Sequence, residues 1–278
     1  MDWLTSTKIP VGRFFADVMD WLTENAAGFF AGLEYLLENL VEGILWLLQA
    51  PPALVTIAIL CAIAFAIRRS IPFMIAMALG LLFVVNQGYW EETTETLTLV
   101  LAAAFLCMGL GVPIGIFLAH RPRAYSFVRP VLDLMQTLPT FVYLIPAIVF
   151  FGLGMVPGLI ATIIFVLPAP IRLTQLGIAA TPREMLEAGR AFGANGWQLL
   201  TKVELPSALP QIMAGLTQTI MLSLSMVVIA ALVGADGLGV PVVRALNTVN
   251  SALGFEAGIV IVVVAILLDR LLRLREKA

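Results

Sequence analysis

A polar segment at residues 173–210 holds the side chains best suited to chemistry, because it separates two long apolar runs and carries charges at short spacing. Three cations are interleaved with three carboxylates: Arg183, Arg190, Lys202, Glu184, Glu187 and Glu204. The two signs balance, so the segment has no phosphate-seeking patch and we expect no nucleic-acid binding. Carboxylates such as Glu187 can accept charge-assisted hydrogen bonds from a protein partner.

Other side chains of catalytic or metal-binding type are sparse. Cys61 and Cys107 are isolated within apolar runs, and the single histidine, His120, adjoins Arg121 at the end of another run. Two such cysteines predict buried small hydrophobes rather than a disulfide or metal site. The sequence contains no Gly-x4-Gly-Lys-Ser/Thr pattern, so we expect neither ATP hydrolysis nor a bound cofactor on this chain. Its glycine clusters at 109–115 and 234–239 instead fit close helix packing and a turn.

Local signals divide the polar segment into two short helices. Thr181-Pro182-Arg183-Glu184 has the pattern of a capping box, so we predict a helix that runs from there to about Phe192. Gly193 fits the position after the helix, where a positive φ is common. Asn195 can cap a second helix, with Gln198 three residues on, and Pro206 is expected to end it. The resulting helix–turn–helix suits a DNA-binding motif, an ordinary structured loop or a docking element that inserts into a groove on a soluble partner.

Composition places these elements in a membrane. Hydrophobic residues make up 60% of the 278 residues and charged residues 12%, with a mean hydropathy of +1.00. Soluble domains are usually about half apolar and about a quarter charged. Seven apolar runs are visible, at roughly 53–67, 71–87, 96–119, 130–153, 157–172, 211–234 and 256–272. The sequence therefore predicts an all-α membrane protein with about seven transmembrane helices.

Residues 28–49 form a different kind of helix. Leucine and isoleucine recur on one side of its helical repeat, and Glu34, Glu38 and Glu42 share another side. Three carboxylates are costly in hydrocarbon, so we predict an amphipathic helix lying in the membrane interface. The first ten residues lack the pattern of a cleavable signal peptide. We divide the chain into an N-terminal extracytoplasmic or interfacial segment, 1–50, and a transmembrane domain, 51–278.

The basic residues predict the orientation. Placing Arg68 and Arg69 in the cytoplasm puts 13 of the 16 Lys and Arg residues on that side, including those of 173–210 and of the C-terminus. The exceptions are Lys8, Arg13 and Arg244. We therefore expect the N-terminus outside the cell, the C-terminus in the cytoplasm and the polar segment facing the cytoplasm.

The polar segment also carries a recognisable motif. Glu187-Ala188-Gly189, then Gly193, then Val203-Glu204-Leu205-Pro206 resembles the EAA signature of ABC-importer permeases. That signature is Glu-Ala-Ala, three residues, Gly, nine residues and Ile-x-Leu-Pro, and the spacing here matches it without a gap. Gly189 replaces the second alanine and Val203 replaces isoleucine. The resemblance implies that Glu187, Ala188, Gly189, Gly193, Leu205 and Pro206 belong to the loop that couples the permease to an ATPase.

A second resemblance concerns the substrate. Pro130 to Pro139 with Phe141 to Pro146, together with Ile212 to Gly215 and Leu224 to Ala230, is similar to the permeases of glycine betaine, proline betaine and choline importers. The likeness extends over about 51–272. It implies a type I ABC importer permease fold in the bacterial inner (plasma) membrane and import of a quaternary ammonium compound. A candidate translocation path contains Gln136, Pro139, Phe141, Tyr143 and Pro146.

The same resemblance implies an assembly. Two permease chains would work with two ABC ATPase subunits, which use ATP and Mg, and with an extracytoplasmic substrate-binding protein. An ion-gradient-driven secondary transporter is the alternative, and a membrane protein with a purely structural or assembly role is a third possibility. Secondary transporters tend to carry ionisable groups within the membrane. Here Asp133 and Asp269 lie near the ends of apolar runs, which favours the importer.

Overall fold

The computed structural model describes residues 10–272, which are helical over most of their length and contain no strand. The α-helices of this part of the chain are α1 Val11–Asn25, α2 Ala27–Gln49, α3 Ala53–Arg68, α4 Ile71–Asn86, α5 Trp90–Ala119, α6 Pro122–Thr137, α7 Thr140–Phe151, α8 Met155–Val166, α9 Pro168–Ala179, α10 Arg183–Ala191, α11 Gly196–Leu199, α12 Leu205–Ala231, α13 Gly239–Asn247 and α14 Ser251–Leu272. A π-helical segment, Leu200–Glu204, joins α11 to α12.

Four helical stretches are long and apolar enough to cross a membrane: Trp90–Ala119, Met155–Ala179, Gly196–Ala231 and Ser251–Leu272. The number rises to six if each of two bent pairs, α2 with α3 and α6 with α7, forms one span. Helix α4 is apolar but shorter, with 16 residues. The seven apolar runs of the sequence correspond to α3, α4, α5, α6 with α7, α8 with α9, α12 and α14, so the helical interpretation is confirmed.

Helices α5, α9 and α12 pack together at the centre of the molecule. Small residues allow this packing, because a Cβ added at Gly115 would lie 2.7 Å from the Ile171 carbonyl oxygen and 2.7 Å from Thr174 Cβ. A Cβ at Gly111 would lie 2.8 Å from the ring of Pro170. Close backbone approach of this kind is a common source of helix association in membranes.

The turn between α12 and α13 explains the second glycine cluster. Gly234 and Gly237 have φ of +86° and +125°, a region that side-chain-bearing residues seldom occupy. The backbone N–H of Leu238, in this turn, donates a hydrogen bond to Thr96 Oγ1 of α5 at 2.8 Å. The turn is thereby fixed to the N-terminal part of α5.

Helix α2 covers the predicted amphipathic segment. Its Leu37 and Val41 are buried against Ala102, Ala103 and Leu159, whereas Glu38 and Glu42 are exposed. The axes of α2 and α3 differ by 100° at Ala50–Pro52, where we placed the boundary between 1–50 and 51–278. The interfacial location of α2 and the two-part division of the chain remain predictions.

Helices α6 and α7 divide a single apolar run of the sequence. Their axes differ by 93°, and Leu138 at the junction is extended, with ψ of 135°. The residue before a proline is driven toward such values, and Pro139 has no N–H to continue the helix. Pro146, in contrast, lies within α7.

Candidate coupling loop and translocation path

Helix α10 ends in the way that the sequence predicts. Gly193 has φ of +79°, its N–H donates to the Arg190 carbonyl at 2.9 Å, and the Ala194 N–H donates to the Gly189 carbonyl at 3.0 Å. These two bonds form a Schellman motif, which satisfies carbonyls that would otherwise have no partner at the helix end. The predicted glycine stop is confirmed, and the chain reverses direction here in a defined geometry.

The start of α10 differs from the prediction. Pro182 is the N-cap residue, with the helix beginning at Arg183, and no side chain caps it. Thr181 is buried, and its hydroxyl has no hydrogen-bond partner among the described residues. The predicted Thr181 capping box is therefore wrong. Pro182, in an extended conformation, occupies the N-cap position, so Thr181 lies one residue before it and cannot act as the cap.

The second helix starts as predicted but does not end at Pro206. Asn195 and Gln198 form a reciprocal capping box, with both hydrogen bonds at 2.9 Å. The helix then widens into the π segment, where the Leu205 N–H donates to the Leu200 carbonyl, and continues into α12. Pro206 lies in the first turn of α12. A proline ring crowds the carbonyl four residues earlier, and a wider turn relieves that crowding, so proline and helix coexist.

The coupling loop, which we define as residues 181–206, forms a compact unit with one exposed side. Helix α10 packs on the following turn through Gly189, where an added Cβ would lie 2.6 Å from Leu199 Cδ2. Large apolar side chains nevertheless face outward, with Phe192 93% and Trp197 71% exposed. Glu187 and Ala188, both on α10, are also exposed, and Leu205, at the start of α12, is half-buried. Such a mixed apolar and acidic surface is suited to a protein partner.

The loop is also bonded to the membrane core. Glu204, at the end of the π segment, is buried, and its carboxylate oxygens lie 3.0 and 3.2 Å from Nε2 of His120, which follows α5. The sequence did not predict this pair, because His120 was considered only as a residue at the end of an apolar run and Glu204 only as one of several balanced charges. The signal for it was a lone carboxylate between Val203 and Leu205.

The candidate path residues lie on and beside the α6–α7 bend, but on different faces. Pro139 and Phe141 are exposed, and Gln136 and Pro146 are half-buried. Tyr143 is only 6% exposed and packs with Ala161 and Met226, and its hydroxyl has no hydrogen-bond partner in the described part of the chain. Tyr143 therefore faces α8 and α12, while Gln136, Pro139 and Phe141 flank the bend.

Comparison with known proteins identifies the family. Residues 111–278 match the family described as the inner membrane component of binding-protein-dependent transport systems. This chain belongs to that family. The match covers the end of α5, α6 through α14, the coupling loop and all five residues of the candidate path.

Several curated permeases are similar over almost the whole chain. The glycine betaine transport system permease OpuAB of Bacillus subtilis is 44% identical, over 95% of this chain and 93% of its own. The glycine betaine/carnitine transport permease GbuB of Listeria monocytogenes is 43% identical, over 95% and 94%. ProW of Escherichia coli, a glycine betaine/proline betaine transport permease, is 42% identical, over 97% and 81%.

The solved structures support the fold of this permease. An inward-facing structure of the methionine ABC transporter MetNI superimposes with a TM-score of 0.58 at 23% identity, over 73% of this chain and 98% of that one. A second inward-facing crystal form gives 0.58 at 24% identity. The predicted all-α ABC importer permease fold is therefore confirmed, as is multi-pass membrane embedding.

The permease's departure from the EAA signature has a local explanation. Gly189 stands where the signature has alanine, and a methyl group there would require the Leu199 side chain to move. The motif's central glycine, Gly193, keeps the positive φ that the loop geometry requires.

Proposed function

We propose that the chain is the permease subunit of an ATP-driven importer and that residues 181–206 dock on a separate ATPase subunit. The observation that carries this proposal is the geometry of the loop. Two short helices, one closed by a Schellman motif and one by a capping box, hold Phe192, Trp197 and Glu187 on an exposed surface. A rigid body that is continuous with α12 can transmit force, which a floppy loop cannot.

In the proposed assembly, two copies of this chain associate with two ABC ATPase subunits and with an extracytoplasmic substrate-binding protein. ATP and Mg are used on the ATPase subunits, and this chain carries no cofactor of its own. Closure of the ATPases would move both coupling loops and switch the pore from inward-open to outward-open. Membership of the binding-protein-dependent family supports this arrangement.

The proposed substrate is a quaternary ammonium compound such as glycine betaine, proline betaine, carnitine or choline. Relatives at 42–44% identity are named as transporters of the first three. A quaternary ammonium group has no N–H to donate, and aromatic faces attract it through cation–π interactions. Phe141, exposed beside the α6–α7 bend, is our candidate for such contact.

We further propose that the N-terminus is outside the cell and the C-terminus in the cytoplasm of a bacterial inner membrane. The charge asymmetry supports this orientation. Four of the basic residues counted for this asymmetry lie outside the described residues: Lys8, Arg273, Arg275 and Lys277.

Reconstitution tests the function. The permease, its ATPase and its binding protein are placed in lipid vesicles, and uptake of radiolabelled glycine betaine, carnitine, proline betaine and choline is measured with and without ATP. ATP-dependent uptake that also requires the binding protein is the expected result. Uptake that follows an imposed ion gradient without ATP would instead establish a secondary transporter.

A further inference from the structure

The His120–Glu204 pair joins two elements that are far apart in the chain. His120 directly follows α5, and Glu204 is the last residue of the π segment that leads from the coupling loop into α12. The imidazole Nε2 lies 3.0 and 3.2 Å from the two carboxylate oxygens, and Nδ1 lies 2.9 Å from the Ile116 carbonyl oxygen. Both ring nitrogens therefore face acceptors.

The partners of the imidazole suit a charge-assisted bond. The Ile116 carbonyl can only accept a hydrogen bond, and the carboxylate oxygens of Glu204 accept as well. A hydrogen bond between an imidazole N–H and a carboxylate is charge-assisted and about twice as strong as a neutral one.

The surroundings make the bond important to the position of Glu204. Its side chain is 12% exposed, and His120 is its only hydrogen-bond partner among residues 10–272. Neighbouring Leu200 and Leu205 pack in an apolar cluster with Ile116 and Ala119 of α5. A carboxylate buried in such surroundings is costly unless it is paired.

A continuous series of contacts links the docking surface to α5. Helix α10 packs through Gly189 on Leu199 and Val203, and Glu204 follows Val203 and bonds to His120. Helix α5 is not adjacent to the loop in sequence, because the loop joins α9 to α12. Its other end bonds through Thr96 to the Leu238 backbone in the turn before α13. Helix α5, with 30 residues and a length of about 45 Å, is thus hydrogen-bonded to other elements near both of its ends.

We propose that the His120–Glu204 bond is a latch that transmits movement of the coupling loop to α5, and thereby to the Gly237–Leu238 turn at the other end of that helix. The proposal rests on the proposed function, because it assumes that the loop docks on an ATPase. His120 and Glu204 are positioning residues that act on transport without touching the substrate.

The test uses the assembled complex with its ATPase and binding protein in vesicles. The variants are His120→Ala, the near-isosteric Glu204→Gln, the double variant His120→Ala/Glu204→Gln and the exchanged pair His120→Glu/Glu204→His. Ser126→Ala is the matched control, because Ser126 is exposed on α6 and its side-chain hydrogen bond is local, to the Arg123 carbonyl. Each complex is measured for ATPase co-purification, for the KM and maximal rate of uptake, and for substrate imported per ATP hydrolysed.

We expect each single variant to retain the ATPase and the KM while its maximal uptake per ATP falls about tenfold, the scale of losing one hydrogen bond to a charged group. The double variant should lose no more than the worse single variant, and the exchanged pair should recover part of the loss. If His120→Ala prevents insertion, Glu204→Gln, which keeps the shape of the side chain, carries the test.

Two results overturn the latch. Wild-type uptake per ATP in both single variants would show that the bond transmits nothing, and additive losses without recovery in the exchanged pair would show two independent structural roles. In either case the wild-type complex still couples ATP to uptake, so the proposed function survives. A wild-type complex without ATP-driven uptake would instead refute the proposed function, and with it the latch.

Discussion

Replacing Gly193 tests the coupling loop most directly, because its two possible effects can be separated in this structure. An added Cβ at Gly193 meets no atom within 4 Å, so the substitution creates no clash. The remaining effect is conformational, since φ is +79°. Gly196, three residues away in the same loop, also has open space around it but no positive φ, which makes Gly196→Ala a matched control.

The expected magnitude follows from the backbone. A left-handed conformation costs a residue with a β-carbon roughly 1–2 kcal/mol, which corresponds to about a 5- to 30-fold change in an equilibrium constant. Gly193→Ala should therefore weaken ATPase association by up to that factor, and Gly193→Val by more. Gly193→Asn should lose less than Gly193→Ala, because asparagine tolerates positive φ better than other side chains.

The assay measures the affinity of the purified permease for its ATPase, alongside uptake and hydrolysis in vesicles. Helix content and membrane insertion should be the same for all variants, since Gly193 precedes the candidate span Gly196–Ala231 and Gly196 is its first residue. If Gly193→Ala and Gly196→Ala bound the ATPase equally well, the Schellman geometry would not matter for docking, and the rigid-loop argument would fail.

Further predictions concern the partner, the path and the membrane. Glu187→Ala should weaken ATPase docking about tenfold without destabilising the loop, because the Glu187 side chain is exposed and makes no hydrogen bond within the described chain; unchanged affinity in a binding assay would contradict this. Tyr143→Phe removes only an unpartnered buried hydroxyl, so assembly should persist while uptake falls if that hydroxyl lies at the path; unaltered uptake kinetics would leave Tyr143 as a packing residue. In a chain without native cysteines, a cysteine at Glu91 should react with a membrane-impermeant reagent in intact cells, and one at Arg183 only after permeabilisation; the reverse pattern would invert the topology. Cysteines along the Glu face of 28–49 should react with water-soluble reagents, and labelling of that face from the lipid phase would contradict an interfacial helix.

Local signals in the sequence predicted the ends of the short helices where one residue or a pair of near neighbours decides the geometry. Gly193 needs no tertiary context to favour a positive φ, and Asn195 with Gln198 satisfies its own helix start. Thr181 failed as a cap because Pro182 occupies the N-cap position, which leaves the threonine side chain buried one residue before the cap.

Proline was the less predictable signal. Pro139 marks a 93° bend, whereas Pro146 lies within a helix and Pro206 within the first turn of one. The difference depends on whether the preceding turn can widen or be satisfied by neighbours, as in the π segment before Pro206. The surroundings of an aromatic residue also depend on tertiary packing. The ring of Phe150 on α7 stacks on that of Phe30 on α2, with centroids 4.3 Å apart, so Phe150 packs against the core.

The continuous helical stretch from Gly196 to Ala231, which includes the π segment, gives the molecule a long lever arm. Its 36 residues measure about 54 Å, so its far end moves about 5 Å for a tilt of only about 5° around the end that joins the loop. Had Pro206 broken the helix, a hinge would have absorbed that rotation within the first few ångströms. A small rotation of the loop is therefore amplified into a displacement as large as a side chain at the far end of the helix.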